Sequence, residues 1–389
     1  MKIKLLCRIL WPAGTQRIAI EETKALTHLG HDAELIFIRA TDSGETTYKE
    51  LLNKVEYRIL HYKNDSILTP LYDKVTGIFM DDRRGEGRVD YNFLRDFWKE
   101  LKTDIPDLLI CHDQWAGLAG YYAKKKLGIK YSVYIHERVS DYPWVRGLKR
   151  PLAKLASFYE HKVLTNAEKV FAVTDKVALT IREKHGVEAI TNLPGTTLDP
   201  LAGNIPKENF LITISNWSTV KHPELYLEFV ESVPSINLVM LGHWVSQKYR
   251  QDFLNEIMKR GLNDRLIVKG EVSETQKRET ILRAKALIRF GVGEFGPGMA
   301  ILEALECLTP VIVNNDLGTS ELIKQYKIGY IMEDNSYFNT KLFLERLDDP
   351  DFRYKISHNI RQFVLNNSWE NHVKRLLYET LQKSKRITQ

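Results

Sequence analysis

The stretch FGVGEFGPGMAILEALECLTPVIV at 290–313 sets two carboxylates, Glu294 and Glu303, around a glycine-rich turn. Gly291, Gly293, Gly296, Pro297 and Gly298 precede an apolar run that reads as a helix from about Met299. Glycines let a phosphate approach backbone N–H groups. Pro297 suits the first turn of a helix, and the start of that helix offers unpaired N–H donors to an anion. Glu303 stands about one and a half turns in. There it can accept hydrogen bonds from a ribose or sugar diol, or it is a surface glutamate sharing a stripe with Glu306.

Cationic groups could complete a phosphate site. Lys221 follows the polar turn SNWSTVK, where an ammonium can meet a phosphate, and the plainer alternative is a solvated lysine at a helix start. Arg289 ends the apolar run ALIRF. His136 closes the run YSVYIH, either facing a ligand or capping Glu137 in a loop. Asp349-Pro350-Asp351 has the form of a metal-binding Asp-x-Asp but reads as a turn between helices, and Asp81-Asp82-Arg83-Arg84 as a solvated turn. Cys7, Cys111 and Cys307 lie in or beside apolar runs, are odd in number and read as reduced core thiols.

These residues need strand ends and helix starts to hold them. KIKLLCRIL, WPAGTQ and RIAIEETKALTHLG read as strand, turn and helix, and AELIFIR as the next strand, which is a parallel βαβ unit. The alternation recurs at DLLICH (107–112), YSVYIH (131–136) and KVFAVT (169–174). Residues 192–208, NLPGTTLDPLAGNIPKE, carry three prolines and two glycines and read as a linker. FLITIS, NLVMLG, RLIVKG, ALIRF and PVIVN then restart the pattern. The expected fold class is α/β, with two doubly wound Rossmann-like domains whose ligands lie beyond the carboxyl ends of the strands.

With these motifs in order, the chain resembles the retaining glycosyltransferases of family 4, which have the GT-B fold of two such domains facing across a cleft. The resemblance also rests on PAGTQR (12–17), YIHE (134–137), NLPGTTLD (192–199), ISNWSTVKHPEL (214–225), KGEVSETQ (269–276), NNDLGTSELI (314–323) and the late FVLNNSWENHVKRLLYETL. It implies that Glu294, His136 and Lys221 act in catalysis, with His136 donating a hydrogen bond to the transferred sugar. It implies donor binding by Gly14, Asn216, Lys221, Arg289, Gly296, Pro297, Gly298, Met299 and Glu303. It also implies an acceptor-binding domain at 1–195, a donor-binding domain at 196–365 and a helix at 366–389 returning to the first. No cofactor and no metal are expected, because in this fold basic groups and helix dipoles offset the leaving diphosphate.

The chain departs from the family pattern in four places. Eight residues, 295–302, separate the glutamates, one more than usual. Asn216 stands at the phosphate-binding arginine, Ala13-Gly14 replaces Gly-Gly, and Leu308 replaces a common glycine. Arg289 is a candidate substitute for the arginine.

A chain of 389 residues suits two domains, and its net charge of +6 favours phosphorylated substrates, acidic membrane surfaces or RNA without choosing among them; no nucleic acid is expected. The expected partners are a nucleotide-sugar donor and a sugar or lipid-linked acceptor. Arg146, Lys149, Arg150 and Lys154 beside Trp144, Leu152, Leu155 and Phe158 form a basic amphipathic segment, which either touches an anionic membrane or packs on the sheet. The expected location is therefore the cytoplasm, with the inner face of the cell membrane as the alternative. The leading reading is retaining, metal-independent hexosyl transfer from a nucleotide-diphosphate sugar to a hydroxyl, in a lipid-linked or cell-surface glycan precursor. The alternatives are a GT-B epimerase and a non-catalytic nucleotide-sugar-binding scaffold.

Overall fold

The computed structural model describes residues 1–61, 97–98, 100–137, 150–332 and 337–382. The chain forms two compact units, Met1–Gly195 with Trp369–Gln389, and Thr196–Ser368. Both are doubly wound α/β structures, as the alternation of apolar runs and amphipathic helices predicts.

In the first unit the strands are β1 (Lys2–Leu10), β2 (Asp32–Ala40), β3 (Glu56–His61), β4 (Leu108–His112), β5 (Lys130–Ile135), β6 (Val170–Ala172) and β7 (Ile190–Thr191). They lie in the order β3-β2-β1-β4-β5-β6-β7, and every pair is parallel. Strand β4 is buried along its whole length, as a parallel strand covered by helices on both faces must be. The helix Trp369–Leu381 belongs to this unit and packs on the helix Gly14–His28.

The second unit has β8 (Glu208–Ile214), β9 (Asn237–Leu241), β10 (Leu266–Gly270), β11 (Ala284–Arg289), β12 (Val311–Asn314) and β13 (Gly329–Met332). Their order is β10-β9-β8-β11-β12-β13, again all parallel. All six residues of β11 are buried.

Each sheet reverses its winding at one place, between β1 and β4 in the first unit and between β8 and β11 in the second. Helices leave a crevice at such a point, beyond the carboxyl ends of the strands. His112 ends β4, and Arg289 ends β11.

Local signals set the helix limits. Thr174 accepts from Val177 N to cap the helix Asp175–His185, and Gly186 ends it at φ +64°. Asp349 accepts from the N–H groups of Asp351 and Phe352, so the Asp-Pro-Asp stretch is a helix cap with proline in the first turn. Pro297 departs from its expected place. The helix is Met299–Glu306, its N-cap is Gly298 at φ +63°, and Pro297 lies outside it. The left-handed turn at Gly298 separates the proline from the helix axis.

Two of the sequence departures have backbone explanations. Leu308 sits at φ +51°, the region that makes glycine common there and strains a leucine. Ala13 is extended at φ −147°, so its position needs no glycine. Asp81–Arg84, Trp144, Arg146 and Lys149 lie outside the described residues. Helix Arg150–Asn166 is present, with Lys154 and Phe158 exposed.

Candidate active site

Beyond β11 the chain makes the glycine-rich turn, and three charged side chains meet at its base. Arg289 Nη2 donates to both carboxylate oxygens of Glu294 at 2.9 Å. Lys221, closing the short 3-10 turn Thr219–Lys221 after β8, lies 3.1 Å from Glu294 Oε2. Burial favours the neutral form of Glu294, but Arg289 and then Lys221 outweigh it and hold the carboxyl below its ordinary range. Two cations around one carboxylate leave a positive excess. The Arg289 side chain is only 7% exposed, whereas that of Lys221 is 26% exposed. Lys221 is therefore the cation that can turn toward an incoming anion. Arg289 Nη1 is buried without a hydrogen-bond partner.

The turn is pinned from several sides. Gly291 N donates to Asn314 Oδ1 at 2.8 Å, and Asn314 Nδ2 donates back to Gly291 O at 2.7 Å. Gly318 N donates to Glu294 O at 3.0 Å. A Cβ on Gly318 would stand 2.0 Å from Phe295 O, so only glycine permits that approach. Phe290 N and Thr213 Oγ1 both donate to the buried Tyr226 hydroxyl, at 3.1 and 3.0 Å. Gly296 and Gly298 stay half-buried in the turn, and Met299 begins a helix whose N-terminus has no side-chain cap. Its first N–H groups remain available to a ligand.

Glu303 is buried, and Lys277 donates to it at 3.2 and 3.1 Å. It is not a surface residue of a polar stripe. Glu306 faces elsewhere, its Oε1 accepting from Thr197 N at 2.8 Å. Asn216 is exposed just after β8. A polar hollow at the ends of β9 and β10 is lined by residues that include His243, Trp244, Arg250, Lys269 and Glu271.

The first unit holds a second cluster. His136, just after β5, stacks on His112, and His136 Nε2 lies 3.0 Å from His112 Nδ1. His112 Nε2 lies 3.2 Å from Glu22 Oε2, and Glu22 Oε1 lies 2.8 Å from His372 Nε2. Glu22 and His112 are fully enclosed, and His136 and His372 nearly so. Burial and the neighbouring His112 push His136 well below its ordinary range, so its ring is neutral. Burial opposes the charge of Glu22, yet His112 and His372 keep its carboxyl low. Gly14 starts the helix that carries Glu22.

Sequence reasoning missed Glu22, His112, His372, Lys277 and Asn314. His112 carried a signal, because it ends an apolar strand just as His136 follows one. Glu22 looks like surface charge beside Glu21 and Lys24, and nothing in the sequence ties His372 to a position 350 residues earlier.

Both units match known families. Residues 12–194 match the model for Glycosyltransferase Family 4, and residues 200–363 match the model for glycosyl transferases group 1. Each unit thus carries a glycosyltransferase family-model domain. The chain is 26% identical over 175 residues to glycosyltransferase 1 domain-containing protein 1 of Xenopus tropicalis, covering 44% of this chain and 49% of that one. The chain thus spans about half the length of that relative. Its fold is shared by Anabaena HepE, solved with UDP and glucose, at TM-score 0.73 and 13% identity over 97% of this chain and 99% of that one. It is shared equally by the sucrose-phosphate synthase of Thermosynechococcus elongatus, at TM-score 0.72 and 17% identity over 98% of each chain. The group 1 match contains Lys221, Arg289, Glu294 and Glu303, and the family 4 match contains Gly14, Glu22, His112 and His136.

Proposed function

We propose that the protein transfers a hexosyl group, with retention, from a nucleoside diphosphate sugar to a hydroxyl of a sugar or lipid-linked acceptor. The observation that carries this reading is the Lys221–Glu294–Arg289 cluster beside the uncapped helix at Gly298. A leaving diphosphate develops negative charge, and preorganised cations and helix N–H groups are what stabilise it. Lys221 swings from Glu294 to the diphosphate. Arg289 remains with Glu294 and holds its carboxylate for the sugar hydroxyls. The arginine absent at Asn216 is thus replaced in charge by Lys221, with Arg289 supporting from beneath.

Glu303 accepts from the ribose diol while Lys277 keeps it oriented. The second unit takes the donor, the first takes the acceptor, and His136 meets the transferred sugar. The departing phosphate acts as base toward the acceptor hydroxyl, which approaches on the face that the leaving group vacates. Basic groups and the helix do the work that a cation would do, so no metal or cofactor enters this scheme.

Incubation of the protein with a panel of nucleoside diphosphate sugars tests the reading, with uridine diphosphate sugars first because Anabaena HepE was solved with UDP. Transfer or slow donor hydrolysis is expected, unaffected by EDTA. Glu303→Ala should raise the donor KM by at least tenfold, as loss of a hydrogen bond to a charged group is worth about 1.5–3 kcal/mol. Donor binding with no turnover would favour the scaffold reading, which Asn216 and the lengthened glutamate turn keep in contention.

A further inference from the structure

With the His112 ring neutral, the four-residue chain in the first unit has one consistent arrangement of protons at its inner end. Leu193 O lies 2.8 Å from His372 Nδ1, and a carbonyl can only accept, so His372 Nδ1 carries hydrogen. His372 Nε2 and Glu22 Oε1 are 2.8 Å apart and share a single proton, on one side or the other. In either case Glu22 Oε2 keeps only lone pairs. It faces His112 Nε2 at 3.2 Å, an approach too bent for a full hydrogen bond, and neither atom has another partner among the described residues. Two lone pairs pressed together there would repel inside a dry core. His112 Nε2 therefore carries the hydrogen, and in the neutral ring His112 Nδ1 is an acceptor.

The consequence passes along the stack. His136 Nε2, 3.0 Å from His112 Nδ1, must be the donor of that bond. The ring is neutral, so His136 Nδ1 bears a lone pair. That atom is buried and has no partner among the described residues. A buried acceptor left unmatched carries a desolvation penalty that an arriving hydroxyl would remove. Tyr134, the other titratable group against these rings, is turned away, its hydroxyl donating to Asn192 O.

We propose that Glu22, His112 and His372 are positioning residues that fix His136 as a hydrogen-bond acceptor, proton on Nε2 and lone pair on Nδ1, for a hydroxyl of the transferred sugar. This rests on the placing of His136 at the sugar given above, and it reverses the donor sense that the family resemblance implies. The Nδ1 acceptor selects a sugar with a free hydroxyl at that point over its deoxy or O-methylated counterpart.

Long-range nitrogen–proton correlation spectra of the histidine-labelled full chain read the tautomer without any assay of transfer. His136→Asn assigns the signals. The proposal expects His136 to show an unprotonated Nδ1 and a protonated Nε2, and a protonated Nδ1 overturns it. Glu22→Gln should retain that pattern, because the amide oxygen can still accept from His112 while its NH2 donates to His372. Glu22→Leu, similar in size, removes the acceptor, so the two tautomers should mix and kcat should fall at least tenfold with donor KM unchanged. A Glu22→Leu protein that keeps a single tautomer and full kcat contradicts the relay, and a Glu22→Gln protein that flips it does so too. Should His136→Asn retain full turnover, the placing of His136 at the sugar fails, and the acceptor role with it, while the tautomer spectrum stands unaffected. Rapid loss of the Glu22→Leu fold would leave the wild-type and Glu22→Gln spectra to decide.

Discussion

The two charged clusters of this chain are built in opposite ways. In the second unit, Lys221 and Arg289 surround Glu294 and leave positive charge to spare, with Lys221 partly open to solvent. In the first unit, Glu22, His112, His136 and His372 are enclosed and contact one another in a chain. A site that meets a developing diphosphate needs mobile, unspent charge. A site that reads a sugar hydroxyl needs one defined lone pair, and burial supplies that definition by leaving each proton a single place.

Breaking the first cluster at its buried member should have the largest effect. Arg289→Ala strands a mostly buried Glu294 with one partner, and removing one side of such a pair costs about 3–5 kcal/mol. Thermal unfolding should show a large drop in Tm, with loss of transfer. A Tm within a degree of the parent would mean that Arg289 does not anchor Glu294.

Gly318→Ala tests the same cluster through its backbone. The new Cβ would overlap Phe295 O, and accommodating it should cost about 1–3 kcal/mol. The glycine turn would shift, so donor KM should rise along with the loss of Tm. A variant with parental KM would show that the turn tolerates displacement.

The smallest effect sharpens the contrast with the first unit. His136 lies well below its ordinary value of 6.5 because of burial and His112. The unfolded chain takes up that proton near pH 6.5 and the folded chain does not. This stability is complete above pH 6.5 and is lost as the pH falls below it, at no more than about 1.4 kcal/mol per unit. Glu22, lowered from 4.5 to about 2, adds a similar loss only within that lower interval. His31, lowered by partial burial and the amino terminus, acts in the same direction as His136. Denaturant melts between pH 7.5 and 5.5 should therefore show falling stability, with a shallower slope in His136→Asn. An identical slope would remove His136 as the cause.

Much of this was legible in the sequence, and for physical reasons. A parallel strand buried on both faces is a continuous apolar run, so β1, β4, β8 and β11 announce themselves. The glycine turn and its two glutamates stand out because their types are wrong for a core and their spacing is right for a ligand. What stayed hidden depends on contacts across long separations. Arg289 and Glu294 are close in sequence, but nothing there says that they pair. Glu22 shares the helical face of Ile18, Ala25 and Leu26, but its charge reads as solvent-facing until His112 and His372 are seen beside it. Pro297 falls outside its expected turn because Gly298 takes a left-handed conformation, which the letters permit without requiring.

Lys221→Ala in a transfer assay tests the central claim most directly. Lys221 is the accessible cation of the donor cluster and contributes little to the fold. The account predicts that turnover falls by two or more powers of ten, as loss of one charge-stabilising donor costs about 2.7–4 kcal/mol, while Tm stays near the parental value. Full turnover in Lys221→Ala would contradict it, as would a parent protein that transfers sugar from no nucleoside diphosphate donor.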